Sequence, residues 1–105
     1  MTEKKIRKKK NPFKQGAITP MYIAESIEHH QHKTGIGAHE IFLGQVRADK
    51  IGESEVVAID YSAYEEMAIN ELDVIREEIF AKYELSCMHI YHSLGRVEVG
   101  QICLF

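Results

Sequence analysis

The chain has 105 residues, a net charge of −3 and 45% hydrophobic residues. These are the proportions of one globular domain. They leave no room for a second core. No uninterrupted apolar stretch approaches the ~20 residues that a bilayer-spanning helix needs, and the charged N-terminus lacks the apolar segment of a secretory signal. The net charge hides an asymmetry: residues 1–14 carry seven bases and one acid, whereas the rest carries six bases and fifteen acids. Residues 1–16 therefore read as a basic, flexible arm ahead of an acidic domain at 17–105. Nucleic acid is disfavoured as its partner, because no aromatic side chain is interleaved with the lysines to stack on bases. Cys87 and Cys103 have no CxxC spacing and read as small buried hydrophobes in a reducing, cytoplasmic compartment.

In chain order, Thr19-Pro20 marks a helix start, with the hydroxyl as N-cap and the proline at the first helical position. Ile23 and Ile27, with Met21 and Ala24, supply the buried stripe of a helix ending near Lys33, and Gly35 and Gly37 break it. Residues 38–47 read as a strand. A polar connection, 49–53, leads to a second strand at 56–61 whose two faces differ so little that it reads as central. Ser62-x-x-Glu65 has capping-box spacing. The helix behind it carries Ala68, Leu72, Ile75 and Ile79 inward, with Glu66, Asn70, Asp73, Glu77 and Glu78 facing water, and ends near Tyr83. A third strand spans 87–94, Gly95 marks a turn, Val97 and Val99 alternate with charged residues, and Ile102–Phe105 opens another strand. Short strand-to-strand links favour an α+β fold with a largely antiparallel sheet and helices packed on it. An apolar run at 101–105 with no polar tail suggests that the polypeptide continues past Phe105.

The segment Phe42-Leu43-Gly44-Gln45-Val46-Arg47 carries the most chemistry. Gly44 permits close approach of a backbone or ligand. Arg47, where the strand runs out, offers a planar donor fork that matches phosphate; the ordinary alternative is a solvated strand-end arginine. Two further segments come after it in order: Tyr61-x-x-Tyr64-Glu65-Glu66-Met67-Ala68, and Ile90-Tyr91-His92-Ser93-Leu94-Gly95-Arg96-Val97-Glu98-Val99-Gly100. Together the three resemble the large, catalytic subunit of molybdopterin synthase, from about Phe13 to the end of the chain.

The resemblance implies an α/β-hammerhead fold and a homodimer that docks a ubiquitin-like small subunit on each protomer. It implies a sulfurtransferase, in which the C-terminal thiocarboxylate of that partner gives sulfur to cyclic pyranopterin monophosphate to form molybdopterin. This pterin is a substrate, and no cofactor or metal is implied. The substrate-contacting stretch falls on Gln45, Val46 and Arg47, with Arg47 as phosphate anchor; family analogy also places His92 near the site, the ordinary alternative being a satisfied structural histidine. The essential lysines of the family lie downstream of the strand starting at Ile102, and no lysine of this sequence aligns with them, so the catalytic residues are unassigned. Ser93 departs from the arginine that many relatives carry there. The alternative is a non-catalytic relative that dimerises and docks the partner.

His29, His30 and His32 sit at a helix end, where imidazoles suit the negative end of the dipole; a metal would need further ligands. His89 and His92 fall on opposite faces of a strand and cannot chelate together. Gly35-x-Gly37 lacks the strand-before, helix-after context of a phosphate loop.

Overall fold

A computed structural model describes residues 10–105. Five of the seven bases of the N-terminal arm lie outside the described residues. Of the rest of the arm, Phe13–Gln15 form a strand, β1, so the sheet begins ahead of residue 17.

The first helix, α1, spans Pro20–His30. Its start obeys the sequence: the Thr19 hydroxyl accepts from the Tyr22 amide at 3.1 Å, and Pro20 occupies the first turn, where a missing N–H costs nothing. It stops at His30, short of Lys33, and Gln31 closes it by donating to the Glu28 carbonyl. The inward face also differs. Tyr22, Ile23, Ser26 and His30 are half-buried, whereas Met21, Ala24 and Ile27 are exposed.

The expected strand over 38–47 contracts to β2, Gly44–Gln45. Its antiparallel partner is β7, Ile102–Leu104. Residues 38–43 join no ladder among the described residues, and Ile41, Phe42 and Leu43 stay exposed. The connection at 49–53 is itself structured. Strands β3 (Lys50–Ile51) and β4 (Ser54–Glu55) form a small antiparallel hairpin about Gly52, whose φ of +64° suits the turn.

The second expected strand appears as β5, Ala58–Tyr61. It is an edge strand, not a central one: among the described residues its one neighbour is β6, His92–Glu98, and Val57 and Ile59 are exposed. The second helix, α2, spans Glu65–Lys82, and Tyr83 closes it. Ser62 does not cap it. The chain takes residues 62–64 to leave the sheet edge, so Tyr64 is the N-cap and no side-chain bond replaces the capping box. Glu65 and Glu66 instead fall in the first turn, where their charge favours the positive end of the helix dipole. Ala68, Leu72 and Ile79 do face inward, joined by Ile69, Asp73, Arg76 and Phe80, while Ile75 turns to water.

Strand β6 organises the sheet. His92–Leu94 pair in parallel with Phe13–Gln15, and Gly95–Glu98 pair antiparallel with β5. Gly95, expected in a turn, lies inside the strand with a φ of +78°, at the point where β6 changes neighbours. Residues 87–91, expected to open this strand, lie ahead of it. The main sheet reads β1-β6-β7-β2 with β5 added on β6. The result is an α+β fold on a mixed, mostly antiparallel sheet. Val46, Val97 and Cys103 form the buried centre, lined by Ala17 and Tyr61. Neither helix contributes a fully buried residue.

Candidate functional site

The pairing of β2 with β7 skips a residue: Gly44 faces Leu104, but Gln45 faces Ile102. The extra residue is Cys103, whose side chain enters the core. Such a bulge bends the strand and re-aims the side chains next to it. Gly44 is required here because a Cβ would come within 2.9 Å of the Leu104 Cβ. The close approach foreseen for this glycine is thus made by a neighbouring strand.

Beyond the bulge, the Val46 amide donates to the Gln101 carbonyl at 3.0 Å, and the Val46 carbonyl accepts from the Gly100 amide at 2.9 Å. Its side chain is in the core. Val46 therefore presents neither its side chain nor a free amide to a ligand, and its contribution is to fix its two neighbours. Gln45 is exposed beside it.

Arg47 leaves the sheet at this point with its side chain 83% exposed. Its guanidinium grips Asp49 with two bonds, Nε to Oδ1 at 2.6 Å and a terminal nitrogen to Oδ2 at 3.1 Å. The bond and the charge of Asp49 raise the arginine pKa further, so the group is a permanent cation. Two of its five N–H groups are used, and three remain for an anion.

His92 lies in the same sheet. One row across it runs Gly44, Leu104, His92, Phe13. Its Nδ1–H donates to the Ser93 carbonyl at 2.8 Å. Its ring meets Tyr61 edge-on at 5.2 Å and Phe13 at 6.2 Å. Two strand spacings, about 10 Å, separate it from Gly44, and Arg47 lies farther along the chain from β2. The residues singled out in the sequence share a sheet, but His92 and Arg47 are not neighbours. Ser93 is fully buried, and its hydroxyl has no hydrogen-bond partner.

Two concavities lie elsewhere. One, of about 480 Å³, is bounded by Lys10, Asp73, Arg76, His89 and Tyr91. The other is an open groove between the end of α1, residues 35–42 and residues 84–89. Neither includes Arg47 or His92. Sequence reasoning weighs the histidines of α1 among themselves and sets Cys87 aside as a hydrophobe. In the structure, His30 lies beside His89, with ring centres 4.6 Å apart, and Cys87 joins them. The Cys87-Met88-His89 spacing, which carries two ligand types two residues apart, is the available signal.

The site is thus a mixed sheet whose bulged strand delivers an exposed arginine at its rim. The chain belongs to the MoaE protein family, which matches residues 17–105. It is 40% identical over 65 residues to the molybdopterin synthase catalytic subunit of Pyrococcus abyssi, covering 62% of this chain and 43% of that protein. It is 41% identical over 68 residues to the corresponding subunit of Drosophila willistoni, covering 64% of this chain and 18% of the other. With that of Emericella nidulans it is 33% identical over 72 residues, covering 69% and 36%. The chain thus spans less than half the length of these curated relatives. Among the described residues no helix is long and apolar enough to cross a membrane.

Proposed function

We propose that this chain supplies part of a molybdopterin synthase catalytic subunit, in which Arg47 holds the phosphate of cyclic pyranopterin monophosphate while a small-subunit thiocarboxylate delivers sulfur. Family membership supports the reaction class. The observation that carries the residue assignment is the arginine at the strand exit, its backbone fixed through Val46 and its guanidinium open on one side.

The chemistry derives from that placement. The bidentate bond to Asp49 pre-orients the guanidinium plane, so less rotamer entropy is lost when an anion binds. A phosphate takes the three remaining N–H groups, or displaces Asp49 by offering more charge and the same fork geometry. Gln45, exposed two residues earlier, adds an amide donor and acceptor to the same rim. The ledge is open rather than enclosed, which suits a substrate covered by the docked tail of a partner. His92 lies farther across the sheet, two strands from Gly44, and is not a neighbour of Arg47 in holding the phosphate. A homodimer and a cytoplasmic location complete this reading.

The test uses the intact protein with thiocarboxylated small subunit and the pterin precursor, reading molybdopterin formation and precursor affinity. Arg47→Ala is expected to weaken precursor binding at least about tenfold, the range of a lost charge-assisted bidentate contact. It should leave the melting temperature and small-subunit binding unchanged. Unaltered precursor affinity overturns the anchor assignment. Co-purification with the small subunit but no conversion by the unmodified protein overturns the catalytic reading.

A further inference from the structure

The strongest unassigned cluster lies at the end of α1, away from Arg47. A ring nitrogen of His30, a ring nitrogen of His89 and the Cys87 sulfur lie within 4.8 Å of one another, all half-buried. We propose that His30, Cys87 and His89 form a binding site for a borderline-soft divalent metal ion of the zinc type, with the fourth position taken from the adjoining groove. This inference is independent of the proposed catalytic role.

Several observations converge on it. His30 is the last residue of α1, and its Nδ1 sits 2.7 Å from the Ser26 carbonyl. Only an N–H can bond to a carbonyl, so in the neutral ring the proton is on Nδ1 and Nε2 carries the lone pair. An outer-sphere bond of this kind fixes the tautomer of metal-binding histidines. His89 Nε2 is buried and has no hydrogen-bond partner. Such an orphan is uncommon and points to a ligand or water. The segment bearing Cys87 and His89 is pinned close by, where Tyr91 and Phe105 exchange backbone bonds at 2.7 and 2.9 Å. The His89 ring stacks parallel on Tyr91.

The donor set selects the ion. Two imidazoles and a thiolate suit zinc and its neighbours, and the trio's lack of oxygen ligands disfavours magnesium and calcium. Tetrahedral zinc places its ligand atoms roughly 3.4–3.8 Å apart, so the largest gap closes by about 1 Å, within reach of side-chain torsions. The cationic neighbours Lys10, Lys33 and Arg76 oppose a dication. The Cys87 thiolate formed on binding offsets part of that charge. The groove on the open side carries His39, whose ring centre is 6.3 Å from that of His30, so the fourth ligand is this imidazole or water.

The experiment is a cobalt(II) titration of the metal-free protein, followed by zinc. One equivalent should bind with the intense visible bands of a four-coordinate site and a thiolate-to-cobalt charge-transfer band in the near ultraviolet. Zinc should abolish both and raise the melting temperature. Cys87→Ser should remove the charge-transfer band, and His89→Ala should lower affinity about 10- to 100-fold. His29→Ala should match the unmodified protein. The weak spectrum of a six-coordinate ion without a sulfur band overturns the proposal, as does a sulfur band that survives Cys87→Ser. An affinity that falls as much in His29→Ala as in His89→Ala assigns the metal to exposed helix-end histidines and also overturns it. The reading on the unmodified protein decides the matter even where a variant fails to fold.

Discussion

Replacing Gly95 with alanine tests how the sheet changes partners along β6. At a φ of +78°, a side chain on an L-residue costs about 1–2 kcal/mol. The new Cβ would also lie 2.6 Å from Gln15 Nε2, the far end of an exposed, flexible side chain. Moving that amide off its rotamer costs about 0.5–1.5 kcal/mol. Alanine restricts the unfolded chain and offsets about 0.4–1 kcal/mol of this. The net loss is about 0.5–3 kcal/mol, or a fall in melting temperature of roughly 2–25 °C for a domain this small. Urea denaturation of the single variant, of Gln15→Ala, and of the pair separates the two contributions. The pair should regain the steric part and keep the backbone part. Gly52→Ala, also at positive φ but with open space around the added carbon, should cost less. A Gly95→Ala protein as stable as the parent, or one less perturbed than Gly52→Ala, refutes the reasoning.

Thr19→Ala removes the bond to the Tyr22 amide and should cost about 1 kcal/mol by chemical denaturation, while Thr19→Asn should keep most of it. Burial, then a hydrogen bond with Tyr22, pushes Tyr91 up to about 12, so the folded state retains a proton that the unfolded state releases near pH 10. The Tyr91 contribution to stability should be level below pH 10 and fall between pH 10 and 12, and Tyr91→Phe should flatten that fall. With a thiol reagent, half-buried Cys87 should react first, while Cys103 should wait for unfolding; equal rates would contradict the core placement. Asp49→Asn keeps an oxygen to orient the Arg47 Nε–H but removes the negative charge that repels a phosphate, and should tighten binding of a phosphate analogue, measured by calorimetry.

The helix starts and stops legible in the sequence are those with local chemistry. Thr19-Pro20 caps α1 by a bond three residues away, and α2 ends beside Tyr83 as its pattern implies. Features that depend on distant pairing are not legible. Apolar content makes 38–43 look like a strand, but a strand needs a neighbour, and the ladder on β7 reaches only Gly44. Val57 and Ile59 suggest a two-sided burial that an edge position does not provide. Gly95 resembles a turn residue because positive φ is commonest there, yet it serves a change of partner within one strand. The arginine of the candidate site is found from its place at a strand end and from family likeness. The His30–Cys87–His89 group escapes notice in the sequence because His30 lies more than fifty residues from the other two, and only the fold closes that gap.

The two backbone bonds joining Val46 to residues 100 and 101 tie the arginine ledge to the bend between β6 and β7. That bend therefore acts as a hinge post for the guanidinium: whatever reshapes it swings the proposed phosphate grip without touching Arg47 itself. Selection on phosphate handling in this scaffold would accordingly leave its marks at Gly100 and Gln101 as well as at Arg47, and variation there should tune affinity by geometry while the charge stays constant.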